Sequence, residues 1–365
     1  MNEQKLGDNN HFAVSISLLY EGMIVEEDVY DADATHMLVA RGTVINSDTI
    51  GRIKSINAGR DTIQVSGNTY RTITAKRGPV ETIFRKAIEE ATGYTAATDV
   101  TFKMLDEISR HQSVKQDALY EVSVELSNRL EATSPSTIIS LINALAPVDE
   151  YLQRHCVNVG MLNGLFGRWL NLPKADVDKL VLMGLLHDCG KALVPSQILN
   201  ASRRLTMAEF EVIKMHTLYG YELLAGFPEP VRQASRGHHE KVGGIGYPDR
   251  LHPDSISMEA RITAVSDIYD AMVSQRAYKK PRSPFSIMAV IMELSGSELD
   301  SRLVQLFINN MPNELMNKQV LMCDGMVGIV RSVDVADIEY PFIEVNGRIT
   351  KSNQDWYCTS MYTEA

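Results

Sequence analysis

Five histidines and two aspartates stand out as side chains that could do chemistry together: His155, His187, Asp188, His216, His238, His239 and Asp267. Singly, each has an ordinary reading. A lone helical His is usually a surface or satisfied core residue, an adjacent His-Asp pair arises by chance, and HHE can be a solvated patch. As a set they offer mixed nitrogen and oxygen donors, which suit Fe, Mn, Zn or Ni better than the oxygen-seeking Mg and Ca. Seven donors exceed what one tetrahedral ion takes, and they suffice for two ions if one carboxylate bridges. Paired cations about 3.5–4 Å apart are a known solution for phosphate-ester hydrolysis.

The elements that must position these donors are helical. The segment ending at His187 carries Val177, Leu180, Val181 and Leu185, so it reads as a largely buried helix. His187 and Asp188 at its end need each other or a metal, because burying them unpaired is costly. Thr206-x-x-Glu209 is a capping-box signature opening a helix that runs through Phe210 and Ile213 toward His216. The helix around Asp267 buries Ile262, Val265 and Tyr269, and it sets Asp270 about one turn from Asp267 on the same side. After His239 the run HHEKVGGIGYP threads a tyrosine through glycines, a path suited to close approach by a ligand, although such a loop can also be a plain surface turn. Beyond Asp267 the run SQRAYKKP brings Arg276, Lys279 and Lys280, a solvated helix end in isolation and an anion clamp beside a phosphate site.

The expected fold class is multidomain: an all-α catalytic domain flanked by β-rich segments. Residues 1–78 are rich in Val, Ile and Thr with turn punctuation and read as a small β-rich, regulatory domain, with one short helix in NSDTIGRIKSI. Residues 79–316 are helical, with a lead-in over 79–147 and the metal-binding part over 148–316; VETIFRKAIEEA, DVTFKMLDEISR, DALYEVSVELSNRLEA and PSTIISLINALAP carry apolar residues three and four apart. Residues 317–365 turn extended again and read as a short β segment packed on the helices.

The net charge of −10 disfavours a polymeric nucleic-acid substrate but leaves room for a small anion held by a few local cations. The four cysteines form no C-x-x-C pair, and no run of about 18 apolar residues suggests membrane insertion. A cytoplasmic location with free thiols is expected.

In order along the chain, His155, His187-Asp188-x-Gly190-Lys191, His216, His238-His239-Glu240, Gly246-Tyr247-Pro248 and Asp267-x-x-Asp270 resemble the HD-GYP family, a branch of the HD superfamily of metal-dependent phosphohydrolases. The resemblance covers about residues 149–311. It implies an all-helical domain that hydrolyses cyclic di-GMP to a linear dinucleotide and often on to GMP, with two divalent transition-metal ions, Fe or Mn, as cofactors. It implies one ion on His155, His187, Asp188 and Asp267 and a second on His216, His238 and His239, with Asp188 bridging. Asp188, Lys191 and Asp270 become the catalytic residues, Asp270 either supplying a proton or orienting a metal histidine. Lys191, Gly246, Tyr247, Pro248, Arg276 and Lys279 become the substrate contacts. A diguanylate cyclase docking on the Gly246–Pro248 loop and a second copy of the chain are the protein partners it leaves open.

Two departures matter. A glutamate that recruits a third metal in some relatives is replaced by Tyr151, with Glu150 one step off, which on a helix is a rotation of about 100°. Gly243 stands where the family pattern has Asp. Another nucleotide as substrate, or a cyclic di-GMP receptor or adaptor without turnover, are the competing readings.

Overall fold

The computed structural model describes residues 11–15, 25, 27–30, 37–43, 45, 49–50, 53, 62–66, 93–111, 114, 116–144, 151–201, 203–273 and 282–361. The chain divides into two compact units, one of residues 1–83 with 365 and one of residues 84–364. In the first, β1 (His11–Ser15) pairs antiparallel with β4 (Thr62–Ser66), and β2 (Val29–Tyr30) with β3 (Met37–Val39). Val25, Val29, Val39, Ile45 and Ile53 form its small core. Of the short helix expected in NSDTIGRIKSI, Thr49, Ile50 and Ile53 are helical. The expected helix VETIFRKAIEEA lies outside the described residues.

The second unit is built from twelve described α-helices and a sheet. Its first helices are α1 (Tyr94–His111), α2 (Gln116–Ala132) and α3 (Pro135–Ala144), followed by α4 (Tyr151–Trp169) and α5 (Lys174–Leu186). The short α6 (Ser196–Leu199) leads to α7 (Met207–Lys214), α8 (His216–Leu223) and α9 (Glu229–Gly237). The last are α10 (Met258–Val273), α11 (Pro284–Glu293) and α12 (Ser301–Leu315). The starts follow local chemistry: Thr206 and Glu209 complete the capping box of α7, and Ser283 and Asp300 cap α11 and α12 through their side-chain oxygens.

Helix α5 is the central rod, buried over Leu180–Leu186 on every side. Its closest partner is α4, and glycines set that approach. A Cβ on Gly184 would overlap the backbone of Gly160, so the two helices approach backbone to backbone, and His155 and His187 meet edge to face with ring centroids 5.1 Å apart. Across the pair, Asn163 donates its amide to Leu180 O (3.1 Å) and to Thr263 Oγ1 on α10 (3.0 Å), tying three helices together. The apolar side closes with Phe166, Trp169, Tyr269 and Phe307 packed ring against ring. Phe166, Tyr269 and Phe307 are fully buried, each worth roughly 1.5–3 kcal/mol over its exposed state, and Trp169 is half-buried beside them.

The C-terminal residues form a five-stranded antiparallel sheet in the order β8-β7-β6-β5-β9: β5 (Gln319–Met322), β6 (Val327–Ser332), β7 (Phe342–Val345), β8 (Arg348–Lys351) and β9 (Cys358–Met361). Asn346 and Gly347 join β7 to β8 with φ of 52° and 77°, the two-residue turn that suits the twist of a hairpin. Val320, Val330, Ile343 and Cys358 bury against the helical core, so the sheet is continuous with it.

Candidate metal centre

All seven donors converge. His155 sits one turn into α4, and His187 closes α5, where its Nδ1 donates to Gly184 O at 2.7 Å. Asp188 follows directly. His216 opens α8, His238 and His239 follow α9, and Asp267 lies mid-way along α10. The helix expected to run into His216 is broken one residue before it. His216 Nδ1 donates to Ile213 O (2.7 Å) and Thr217 Oγ1 to Lys214 O (2.9 Å), so side chains occupy carbonyls that a continuous helix would give to backbone N–H groups.

These backbone contacts fix the tautomers. His187, His216 and His238 each spend Nδ1–H on a carbonyl three residues back, the last at 2.9 Å from Ser235 O, so each turns a bare Nε2 lone pair inward. His155 spends Nδ1 on Asp270 Oδ2 at 2.7 Å. The inward nitrogens then meet: His155 and His187 Nε2 are 3.3 Å apart, His216 and His238 Nε2 3.4 Å apart. Asp188, fully buried, aims one oxygen at each pair. Its Oδ2 lies 3.3 Å from His187 and 3.5 Å from His155, and its Oδ1 lies 3.3 Å from His216 and 3.7 Å from His238. Oδ1 has no hydrogen-bond partner although it is shut off from solvent. Facing lone pairs and an orphaned carboxylate oxygen repel one another unless a cation stands among them. Two groups fit that description, His155 with His187 and Asp267, and Asp188 with His216, His238 and His239.

The charge balance of the metal-free site follows from the same geometry. Burial pushes His155 down, but hydrogen bonds to Asp188, Asp267 and Asp270 outweigh it and hold its imidazole well above the ordinary value. Burial pushes Asp188 and Asp267 up, and the Lys191 ammonium with the neighbouring His187 and His155 imidazoles around the first, and the His155 hydrogen bond on the second, pull both well below the carboxylate range. Burial holds His216 and His239 below the ordinary histidine value. The His155 contribution to stability is full below about pH 6.5 and is lost as pH rises through its folded value. The two aspartates contribute above about pH 4, and that is lost as pH falls. A proton on His155 therefore stands where a cation would. Loading a divalent ion at the His155 centre near neutral pH should release it, and calorimetric titration in buffers of different ionisation enthalpy should count at least one proton per chain. A count of zero would show that His155 is not a ligand.

Around this centre, Lys191 Nζ forms an ion pair with Asp188 Oδ2. Tyr247 stacks on His239 with ring centroids 4.7 Å apart, and burial first, then Asp188 and Asp267, keep its phenol protonated. Its loop is held by Glu240, buried at 3% exposure, whose carboxylate accepts the backbone N–H groups of Asp249, Arg250 and Leu251 at 2.6, 3.1 and 3.0 Å. Gly246 is buried where a Cβ would strike the backbone of His239, Glu240 and Lys241, and Pro248 follows Tyr247 at the turn. Gly243 also has a physical reason: Ser297 O lies 2.5 Å from where its Cβ would stand, so an aspartate there would displace the chain. Glu240 and Asn158, which donates to Asp270 Oδ1 at 2.7 Å, are site residues to which the sequence alone assigned no role. Arg276 and Lys279, like Glu150, lie outside the described residues.

Residues 139–303 match the family model described as HD domain. A cyclic di-GMP phosphodiesterase of Pseudomonas aeruginosa is 34% identical over 54% of this chain and 48% of its own length. A 3′3′-cGAMP-specific phosphodiesterase of Vibrio cholerae is 29% identical over 52% of this chain and 37% of its own. A cyclic di-GMP phosphodiesterase response regulator of Xanthomonas campestris is 33% identical over 53% of each. The chain thus spans about half the length of these curated relatives, or less. Among solved structures, an HDG"Y"P protein of Bdellovibrio bacteriovorus superposes with a TM-score of 0.51 at 14% identity, covering 83% of this chain and 99% of the other, a likeness of fold. Among the described residues no helix is long and apolar enough to cross a membrane.

Proposed function

We infer, for a chain whose residues 139–303 match the HD domain family model and carry the motifs that resemble its HD-GYP branch, that it is a phosphodiesterase that opens cyclic di-GMP to linear pGpG. The observation that carries this reading is a single buried carboxylate, Asp188, with one oxygen turned to each of two histidine pairs. His155, His187, Asp188 and Asp267 would hold one divalent ion, and Asp188, His216, His238 and His239 a second. The nitrogen-rich donor set fits iron or manganese. Bound there, the ions supply Lewis acidity to the phosphoryl oxygens and an activated water.

The remaining work falls to the side chains. Lys191 stands beside Asp188 and neutralises charge growing on the phosphoryl oxygens. Asp270 orients His155, because one of its oxygens is engaged by that imidazole and the other by Asn158. Tyr247 walls the pocket with its phenol protonated, and Gly246 and Pro248 shape its loop. By resemblance Arg276 and Lys279 grip the substrate's phosphates, and a diguanylate cyclase docks at the Gly246–Pro248 loop. Residues 1–78 serve as a regulatory domain, 79–316 as the catalytic one, and 317–365 as its β extension.

The test is turnover by protein loaded anaerobically with Fe(II) or Mn(II). Cyclic di-GMP should yield pGpG, and binding without any cut in metal-replete protein would leave a receptor. A second reading, cleavage of 3′3′-cGAMP, is favoured by the Vibrio relative of that specificity. The ratio of kcat/KM for the two substrates decides between them.

A further inference from the structure

We propose that Tyr94 is a positioning residue for the metal centre, acting through Asn158 and Asp270 on His155. The proposal rests on the reading of His155 as a ligand. Tyr94 opens α1 and lies well before the stretch 139–303 that matches the HD domain, so no family pattern points to it.

Its side chain is 2% exposed, and its hydroxyl lies 3.0 Å from Asn158 Oδ1. Asn158 Nδ2 lies 2.7 Å from Asp270 Oδ1, and Asp270 Oδ2 lies 2.7 Å from His155 Nδ1. The sense of every link is fixed by chemistry. Asn158 turns its NH2 to Asp270 and its carbonyl to Tyr94, and a carbonyl only accepts, so the phenol donates. The result is a relay of three hydrogen bonds that ends on the imidazole whose Nε2 points at Asp267 from 3.0 Å.

Packing alone does not require the hydroxyl. The ring of Tyr94 belongs to the apolar core together with Ala97 and Ile108, where a phenyl ring would serve as well. Asn158 and His155 lie one turn apart on α4 and move together. Asp270 comes from α10 and Tyr94 from α1, so the relay braces the histidine from two other helices. Without the phenol, the Asn158 carbonyl is a buried acceptor with its donor gone, the amide is free to turn, and one hold on Asp270 is lost. Partners that orient metal ligands typically change metal affinity by about 10–100-fold. A residue one link further out is expected at the lower end.

The test is Tyr94→Phe in the full chain, stripped of metal and titrated with Mn(II) while free Mn(II) is read by electron paramagnetic resonance. One of two binding steps should weaken about tenfold and the other stay within about twofold. In an Asn158→Leu background, Tyr94→Phe should add no further loss, because the relay is already cut. Two unchanged steps in Tyr94→Phe would overturn the proposal, and a lowered melting temperature with unchanged steps would make Tyr94 a core residue only. Should Tyr94→Phe not fold, Asn158→Leu alone still decides: one binding step weakened about tenfold supports the relay, and two unchanged steps overturn it. Wild-type protein that takes up no Mn(II) would end the metal reading itself and the relay with it. Wild-type protein that binds two ions but cuts no cyclic dinucleotide would end the proposed activity and leave the Tyr94 result standing.

Discussion

Asp188→Ala is expected to abolish phosphodiester hydrolysis and to lower metal content from two ions per chain to less than one. The reason is topological. Asp188 is fully buried between the donor groups, Oδ2 toward His155 and His187 and Oδ1 toward His216 and His238. Removing any one histidine weakens one group, whereas removing Asp188 takes an anionic donor from both and leaves five imidazoles and Asp267 to balance the charge of two cations. The metal-free protein should suffer as well, because Lys191 and a protonated His155 both lean on Asp188. Loss of fold could therefore imitate loss of chemistry. Asp188→Asn separates them, since it keeps the shape and one acceptor oxygen but not the charge. Folded Asp188→Asn protein with normal metal content and normal turnover of cyclic di-GMP would refute the two-cation reading.

Much of this site was legible before any fold was known, because its chemistry is concentrated in residue types that are costly to bury. His187 and Asp188 after the buried run of α5, the capping box at Thr206, and the one-turn spacing of Asp267 and Asp270 each have a local physical cause, and each appears in the structure as that cause demands. The C-terminal strands were legible too, through alternation and an Asn-Gly turn. What stayed hidden depends on long-range packing. The contact of Gly160 with Gly184 brings two helices together, and glycine in a helix otherwise reads only as a weak point. Glu240 looked like part of a polar run and is a buried anchor for three backbone N–H groups of the loop beyond it. Asn158 and Tyr94 sit in segments far apart in sequence and meet only through the packing of α1 on α4. The break before His216 was hidden for a different reason: side-chain competition for carbonyls overrode a helical periodicity that continues through it.

Lys191 offers a sharper test of the division of labour, because rate and metal affinity should move in opposite directions. Its ammonium pairs with Asp188 Oδ2, the same oxygen that faces His155 and His187, and it is 19% exposed, open enough to turn toward a bound phosphate. A cation entering beside Asp188 competes with that ammonium. Lys191→Met keeps the length and apolar stem of the side chain while removing the charge, so metal should bind as tightly as in the wild type or more tightly. Turnover should fall by about 10²–10³-fold, the typical loss when a fixed donor to developing phosphoryl charge is removed. The loss should appear in kcat, with KM changing little, if Lys191 acts mainly on charge that develops in the transition state. Metal content and kcat falling together would mean that Lys191 holds Asp188 in place and that its charge is spent on the fold. An unchanged kcat with full metal occupancy would remove it from the reaction altogether and leave the two cations to carry the phosphoryl charge alone.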